Sequence, residues 1–130
     1  MTREELVELL TLNSVQFHMT GSRYICNPVP MDTDEDYVIL MNDIMQFESL
    51  GASGFEITTD QESYEDLPSF LAMRLNEFNL VVTYSKEFYE RFVDATNQAK
   101  ELNLLKKADR ISLFQSVLYG EPAMSAELPF

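Results

Sequence analysis

Two apolar runs in the second half of the chain lie only two residues apart, and this spacing constrains the fold more than any other feature. The runs are residues 70–75 and 78–83, and Asn76 and Glu77 separate them. Runs of this length with so short a connection predict a β-hairpin. Residues 37–41 form a third continuous apolar run, which is typical of a central strand. We therefore expect a sheet built around these three runs.

The remaining patterns predict helices around the sheet. Thr2 is a suitable N-cap for a helix over residues 2–12, and Ser85 is one for a helix in which apolar residues recur at spacings of three and four. The other predicted elements are a half-buried strand over 15–19, a short helix over 43–50, a brief strand over 55–58 and a helix around 110–118. The expected fold is α+β, with a small mixed or antiparallel sheet of about four strands flanked by helices.

Length and composition indicate one globular domain. The 130 residues predict a single domain over residues 1–120, followed by a loose C-terminal tail over 121–130. No apolar run approaches the roughly 20 residues that cross a bilayer, so no membrane contact is expected. With Cys26 as the single cysteine, an intramolecular disulfide and a zinc site of several thiolates are excluded. These features indicate a reducing, cytoplasmic location.

The charge is strongly negative and unevenly distributed. The net charge is −13, and residues 1–66 carry fourteen acids and two bases, whereas residues 67–130 carry eight acids and seven bases. Non-specific binding to a nucleic-acid duplex depends on Lys and Arg that replace counterions, so such binding is not expected here. An acidic half is suited to divalent cations or to a basic protein partner, and it also favours solubility.

The segment from Gly21 to Tyr37 carries the residues best suited to chemistry. Gly21 and Ser22 follow a predicted strand abruptly, and a glycine turn brings backbone N–H groups close enough to a phosphate to bind it. Asp34 and Asp36 stand two residues apart at the start of the next strand, so both point to one face. Two carboxylates beside a phosphate-binding turn suit Mg²⁺, which prefers hard oxygen ligands.

This pattern resembles the signature of the DNA polymerase beta-like nucleotidyltransferases, including small, phage-encoded members. The Gly-Ser pair, a spacer over residues 23–33 and the acidic element over 32–36 match it, and the match covers about residues 15–41. The resemblance implies a nucleotidyltransferase-like fold in which Asp34 and Asp36 are catalytic residues that bind Mg²⁺ or Mn²⁺. It also implies that a nucleoside monophosphate passes from an NTP to a hydroxyl of an acceptor, which is a small molecule, a protein or an RNA end.

The resemblance implies a third carboxylate and a set of phosphate ligands as well. Glu77 is the expected third metal ligand or general base, whereas Asn79 in that position would weaken the metal site. The expected phosphate ligands are the Gly-Ser pair and four bases: Gly21, Ser22, Arg23, Lys106, Lys107 and Arg110. The sequence departs from the family pattern at Glu35, which is polar where the family is usually apolar.

Two other functions fit the same sequence. A catalytically decayed protein on this fold would use its acidic charge to occupy a basic surface, as a phage-encoded inhibitor of a host protein does. A nucleotidyltransferase-type antitoxin would act on a partner toxin. A third carboxylate and Mg²⁺-dependent NTP binding distinguish the enzyme from the binding protein, and a stoichiometric partner identifies the antitoxin.

Overall fold

The computed structural model of the chain describes residues 1–30, 34–58 and 70–119. The strands in these ranges are β1 (Gln16–Thr20), β2 (Glu35–Leu40), β3 (Glu56–Ile57), β4 (Phe70–Leu75) and β5 (Phe78–Thr83). The helices are α1 (Arg3–Leu12), α2 (Ser22–Ile25), α3 (Ile44–Ala52), α4 (Lys86–Glu101) and α5 (Lys107–Tyr119). The expected tail over 121–130 and the beginning of the acidic element lie outside the described residues.

The strands form one mixed sheet with the order β1-β2-β5-β4-β3. Strands β2 and β5 are parallel, and the other neighbours are antiparallel. The predicted hairpin is confirmed as β4 and β5, and Asn76 takes a positive φ of 53° in its turn, where many hairpins have glycine. The mixed α+β sheet is confirmed, with five strands in the described residues instead of about four.

The predicted helix starts are confirmed by their caps. Thr2 Oγ1 accepts a hydrogen bond from the backbone N–H of Glu5, and the Glu5 side chain accepts one from the Thr2 N–H, so α1 begins with a capping box. At the start of α4, Ser85 Oγ accepts a hydrogen bond from the Phe88 N–H over 3.2 Å. These caps fix the residues at which both helices begin.

Two apolar layers enclose the sheet. On one face, α1 and α3 bury Leu6, Leu10 and Leu50 against the sheet. On the other face, α4 and α5 bury an aromatic cluster that includes Phe92 and Phe114. Because both faces are covered, all six residues of β2 are buried, which includes the two acids at its start. In the described ranges, no helix has the length and apolar character needed to span a bilayer.

Candidate functional site

A polar row crosses the sheet at the end where β2 and β5 begin. Its members occupy directly paired positions on β1, β2, β5 and β4: Thr20, Asp36, Asn79 and Arg74. Directly paired residues point to the same face of a sheet. Thr20 Oγ1 lies 2.7 Å from Thr96 Oγ1 of α4, so the row lies on the face that α4 covers.

Gly21 and Asp36, the two ends of the sequence motif, pack directly against each other. Gly21 precedes α2 and has a φ of +74°, a conformation that residues with a Cβ rarely adopt. A Cβ at this position would lie 1.9 Å from Oδ2 of Asp36. The glycine is therefore required both by the turn and by the carboxylate that lies against it.

Asp36 is a buried acid with a strongly shifted pKa. The residue is 5% exposed. The pKa of the Asp36 carboxyl is raised to about 7, chiefly by burial; the Asn79 hydrogen bond opposes the shift, and the nearby negative charge of Asp34 adds to it. The charge of Asp36 is therefore sensitive to its surroundings, and a cation beside it would favour its charged form.

Asn79 occupies the position on β5 that is paired with Asp36. Its Nδ2 donates a hydrogen bond to Asp36 Oδ1 over 3.1 Å. Glu77 lies in the β4–β5 turn with an exposed side chain, and its backbone carbonyl accepts a hydrogen bond from the Glu35 N–H over 2.8 Å. The β5 side chain that contacts Asp36 is therefore a neutral amide.

Asp34 is partly exposed and is paired with a base from the hairpin. Arg74 Nη2 lies 2.7 Å from Asp34 Oδ2, and both side chains are less than half exposed. Sequence reasoning missed Arg74 as a member of this site. Its one sequence signal is that it interrupts the apolar run of the first hairpin strand.

Glu35 points to the opposite face of the sheet, which explains why the chain tolerates an acid there. Arg3 donates from Nε to both carboxylate oxygens of Glu35 over 3.2 Å, and Arg23 Nη1 lies 3.8 Å from Oε1. The Tyr37 hydroxyl also donates a hydrogen bond to Glu35 Oε2 over 3.2 Å. These contacts, chiefly the Arg3 hydrogen bonds, lower the pKa of Glu35. Arg23 therefore lies between the Gly-Ser turn and a buried carboxylate.

The three bases predicted near α5 have different surroundings. Arg110 is buried, and its Nη1 donates to the carbonyl oxygens of Leu104 and Leu105 over 3.0 and 2.8 Å. Its charge also lowers the pKa of Asp36, which places it within electrostatic range of the site. Lys106 and Lys107 are exposed at the start of α5.

Lys100 is a second base near the Gly-Ser turn, besides Arg23, and sequence reasoning did not predict it. Arg23 and Lys100 line a cavity of about 420 Å³ beside α2. Lys100 Nζ donates to the Tyr24 carbonyl oxygen over 2.9 Å and lies 4.1 Å from the centre of the Tyr24 ring. Lys100 stands in the last turn of α4, where a cation also stabilises the helix end, so its sequence position gave no sign of a site role.

In the part of the chain that the structure describes, the acids near Gly21 that could hold a divalent cation are Asp34 and Asp36. Within the described ranges, no group of three or more His, Cys, Asp or Glu side chains is arranged to hold a metal ion. Asp34 and Asp36 are two carboxylates, which is enough for one Mg²⁺ that also takes phosphate oxygens and water. A pair of cations needs further anionic ligands, and Asn79 is neutral.

The fold itself is shared with known structures. No protein-family model and no curated protein sequence matches the chain. The chain is similar to the crystal structure of the conserved protein GrpB from Enterococcus faecalis, with a TM-score of 0.57 and 12% identity over 90% of this chain and 88% of that chain. At this identity the similarity shows the fold alone. The expected α+β fold, with a small mixed sheet flanked by helices, is confirmed.

Two weaker similarities involve parts of larger chains. One is to a cytoplasmic RNA terminal U-transferase, with a TM-score of 0.47 and 19% identity over 85% of this chain and 37% of that chain. The other is to Cid1 in complex with its short product ApU, with a TM-score of 0.46 and 18% identity over 85% of this chain and 36% of that chain. Both TM-scores are below 0.5, so nothing about function follows from them.

Proposed function

We propose that this chain is a nucleotide-binding protein on a nucleotidyltransferase-like fold, which binds an NTP with one divalent cation and does not transfer the nucleotidyl group. The hydrogen bond from Asn79 to Asp36 carries this proposal. It joins the second acid of the motif to a neutral amide on the neighbouring parallel strand. In this proposal the NTP stays bound as a ligand, and no acceptor receives its nucleotidyl group.

The absence of transfer follows from the chemistry of the amide. Transfer with two cations needs carboxylates that hold both of them and a base that takes the proton of the attacking hydroxyl. An asparagine side chain has no negative charge and does not accept that proton at neutral pH.

Retained binding is supported by the charges around the motif. Asp34 and Asp36 would hold the cation, Mg²⁺ or Mn²⁺, which supplies positive charge to the phosphate oxygens. A cation there would also relieve the cost of burying the charged form of Asp36. The backbone at Gly21 and Ser22 and the side chain of Arg23 would contact the phosphates. Lys106, Lys107 and Arg110 remain predictions as phosphate ligands.

Nucleotidyl transfer to an acceptor hydroxyl is the second candidate. It is favoured by the proximity of Asp34 to Asp36, which is close enough to raise the pKa of the latter. The acceptor would be a small molecule, a protein or an RNA end. This function requires Glu77 to act as the third carboxylate from its exposed position in the hairpin turn.

Calorimetric titration of the four NTPs with Mg²⁺ tests the proposal. We expect micromolar binding that disappears when EDTA removes Mg²⁺ and that weakens at least about tenfold in Asp34→Asn. The matched control is Asp94→Asn, which removes one exposed acid from α4 and should bind as the wild type does. Absence of binding to all four NTPs would overturn the proposal.

A labelling assay separates binding from transfer. The protein is incubated with NTPs labelled at the α-phosphate, Mg²⁺ and a cell extract that contains proteins, RNA and small molecules. We expect no labelled acceptor above the background of Asp34→Asn. Label that appears with the wild type and is lost in Glu77→Gln would contradict the proposal and establish the transferase.

A further inference from the structure

The outer surface of α1 and α3 exposes three large apolar side chains. Leu12 is 75% exposed, Ile44 is 60% exposed and Met45 is 71% exposed. Isolated exposed apolar residues are common, but a cluster of them on one surface indicates an interaction site. Whether these three form a cluster depends on how the end of α1 meets the start of α3.

Hydrogen bonds bring the end of α1 and the first turn of α3 together. Gln46 Nε2 donates to the Asn13 carbonyl oxygen over 2.9 Å, and Ser49 Oγ donates to Asn13 Oδ1 over 3.0 Å. Met45 lies one turn before Ser49 and so shares its face of α3. Leu12 is adjacent to Asn13 in the chain. The end of α1, with Leu12, therefore lies next to the start of α3, with Ile44 and Met45, and we name these three exposed side chains the α1–α3 patch (Leu12, Ile44 and Met45).

The apolar surface continues along α1. A shallow depression of about 420 Å³ runs beside this helix, and its lining includes Val7 and Leu12 together with Glu4 and Glu8. The depression therefore adjoins the patch at Leu12. A surface of this shape suits a partner segment that lies along the helix.

Acids surround the patch. The exposed carboxylates of α1 and of the α3 start are Glu4, Glu5, Glu8, Asp43 and Glu48. The only base within α1 and α3 is Arg3, and it is paired with the buried Glu35. The bases of α4 and α5 lie in the layer on the other face of the sheet. The layer of α4 and α5 carries both acids and bases, whereas the charged residues of α1 and α3 are acids apart from Arg3, so the patch lies on an acidic surface.

We propose that the α1–α3 patch binds a basic amphipathic segment of a protein partner. The apolar side chains of that segment would cover Leu12, Ile44 and Met45, and its Lys and Arg side chains would pair with the surrounding carboxylates. The charges select this occupant over the alternatives. A second copy that docked through the same patch would bring like charges together, and a nucleic acid or an anionic membrane would be repelled in the same way.

This inference is independent of nucleotide binding. The patch belongs to the layer of α1 and α3, whereas Asp36 and Asn79 point to the face that α4 covers. Substitutions in the patch should leave NTP binding at its wild-type value. A failure of one proposal can therefore be distinguished from a failure of the other.

Fluorescence anisotropy with a synthetic peptide tests the patch. The probe is a labelled amphipathic helix of leucine and lysine, and its control has glutamate in place of lysine. We expect the lysine peptide to bind and the glutamate peptide not to bind, with affinity that falls as salt screens the charges. Equal binding of both peptides, or no binding of the lysine peptide, would overturn the proposal.

Paired variants locate the binding surface. Leu12→Ser combined with Met45→Ser should weaken binding of the lysine peptide at least about tenfold. The control combines Leu102→Ser with Leu105→Ser, which are 64% and 56% exposed between α4 and α5, and it should bind as the wild type does. Equal losses of affinity in the two double variants would show that the peptide does not bind specifically at the patch, and would overturn the proposal. Sedimentation that gives a dimer dissociated by the Leu12 and Met45 changes would also overturn the proposal.

Discussion

Asn79 on β5 donates a hydrogen bond from its side-chain amide to Oδ1 of Asp36 on β2, over 3.1 Å. The two residues are directly paired in the parallel part of the sheet. Buried carboxylates need a hydrogen-bond donor or a counter-charge, and the amide supplies the donor. The site is therefore satisfied without a cation, which separates it from a site that three carboxylates would form.

Substitution of Gly21 tests whether the turn and the carboxylate are packed as described. Gly21→Ala should destabilise the chain by at least about 2 kcal/mol, because the backbone is strained with a Cβ and the new methyl group meets Asp36 Oδ2. The control is Gly51→Ala in α3, where an added Cβ has no neighbour within 4 Å and should stabilise by about 0.5–1 kcal/mol. Urea unfolding measures both changes. Equal stability of the two variants would contradict the packing.

Removal of Arg3 tests the pair that holds Glu35. Arg3→Gln leaves the buried Glu35 without its main donor and should destabilise by about 1–3 kcal/mol at neutral pH, towards the lower end because half of Arg3 is exposed. The pair lowers the pKa of Glu35, so its contribution is present above the ordinary pKa of a glutamate and is lost as pH falls through the lowered value.

The cost of Arg3→Gln should accordingly shrink on acidification. Urea unfolding at neutral pH and at about pH 4 gives the comparison. Lys86→Gln is the control, since Lys86 and Glu90 are both largely exposed and their pair should contribute little at either pH. A cost that is the same at both pH values would show that Arg3 acts through packing alone.

The pKa of Asp36 predicts a pH dependence of opposite sign. Burial raises this pKa to about 7 in the folded chain, so the folded state binds a proton that the unfolded state releases. Stability should therefore rise as pH falls from about 8 to about 5, with Asp36 contributing about 2 kcal/mol. When the wild type and Asp36→Asn are both unfolded in EDTA, Asp36→Asn should not show this rise in stability at lower pH. Parallel pH profiles of the two proteins would contradict the raised pKa.

Local features of the fold were predictable from the sequence because local chemistry determines them. The caps at Thr2 and Ser85 satisfy N–H groups within their own first turns. The hairpin follows from two apolar runs and a two-residue connection. The prediction that Asp34 and Asp36 share one face rests on the alternation of a strand, and Asp34 lies one residue before the start of β2.

The composition of the site was less predictable because it depends on contacts between distant segments. Asp36 and Asn79 are 43 residues apart, and only the parallel register of β2 and β5 brings them together. The sequence placed Glu77 and Asn79 on one face and left the choice between them open. Burial of Arg110 was also unpredictable, since its hydrogen-bond partners are two backbone carbonyl oxygens and Cys26 Sγ, 84 residues away in the chain.

The central claim is that Asn79 makes the site independent of a cation in the absence of a nucleotide. The thermal unfolding temperature of Asn79→Asp, measured with EDTA and with Mn²⁺, tests this claim most directly. Asn79→Ala is the matched control, because it removes the hydrogen bond to Asp36 without adding a charge.

In EDTA the unfolding temperatures of both variants should be below that of the wild type. The unfolding temperature of Asn79→Asp should be the lower of the two by roughly 5 °C or more, because its carboxylate lies beside that of Asp36. Mn²⁺ should restore Asn79→Asp and leave the wild type and Asn79→Ala nearly unchanged. If Mn²⁺ stabilises the wild type as strongly as Asn79→Asp, the natural site is already a complete metal site and the account is contradicted.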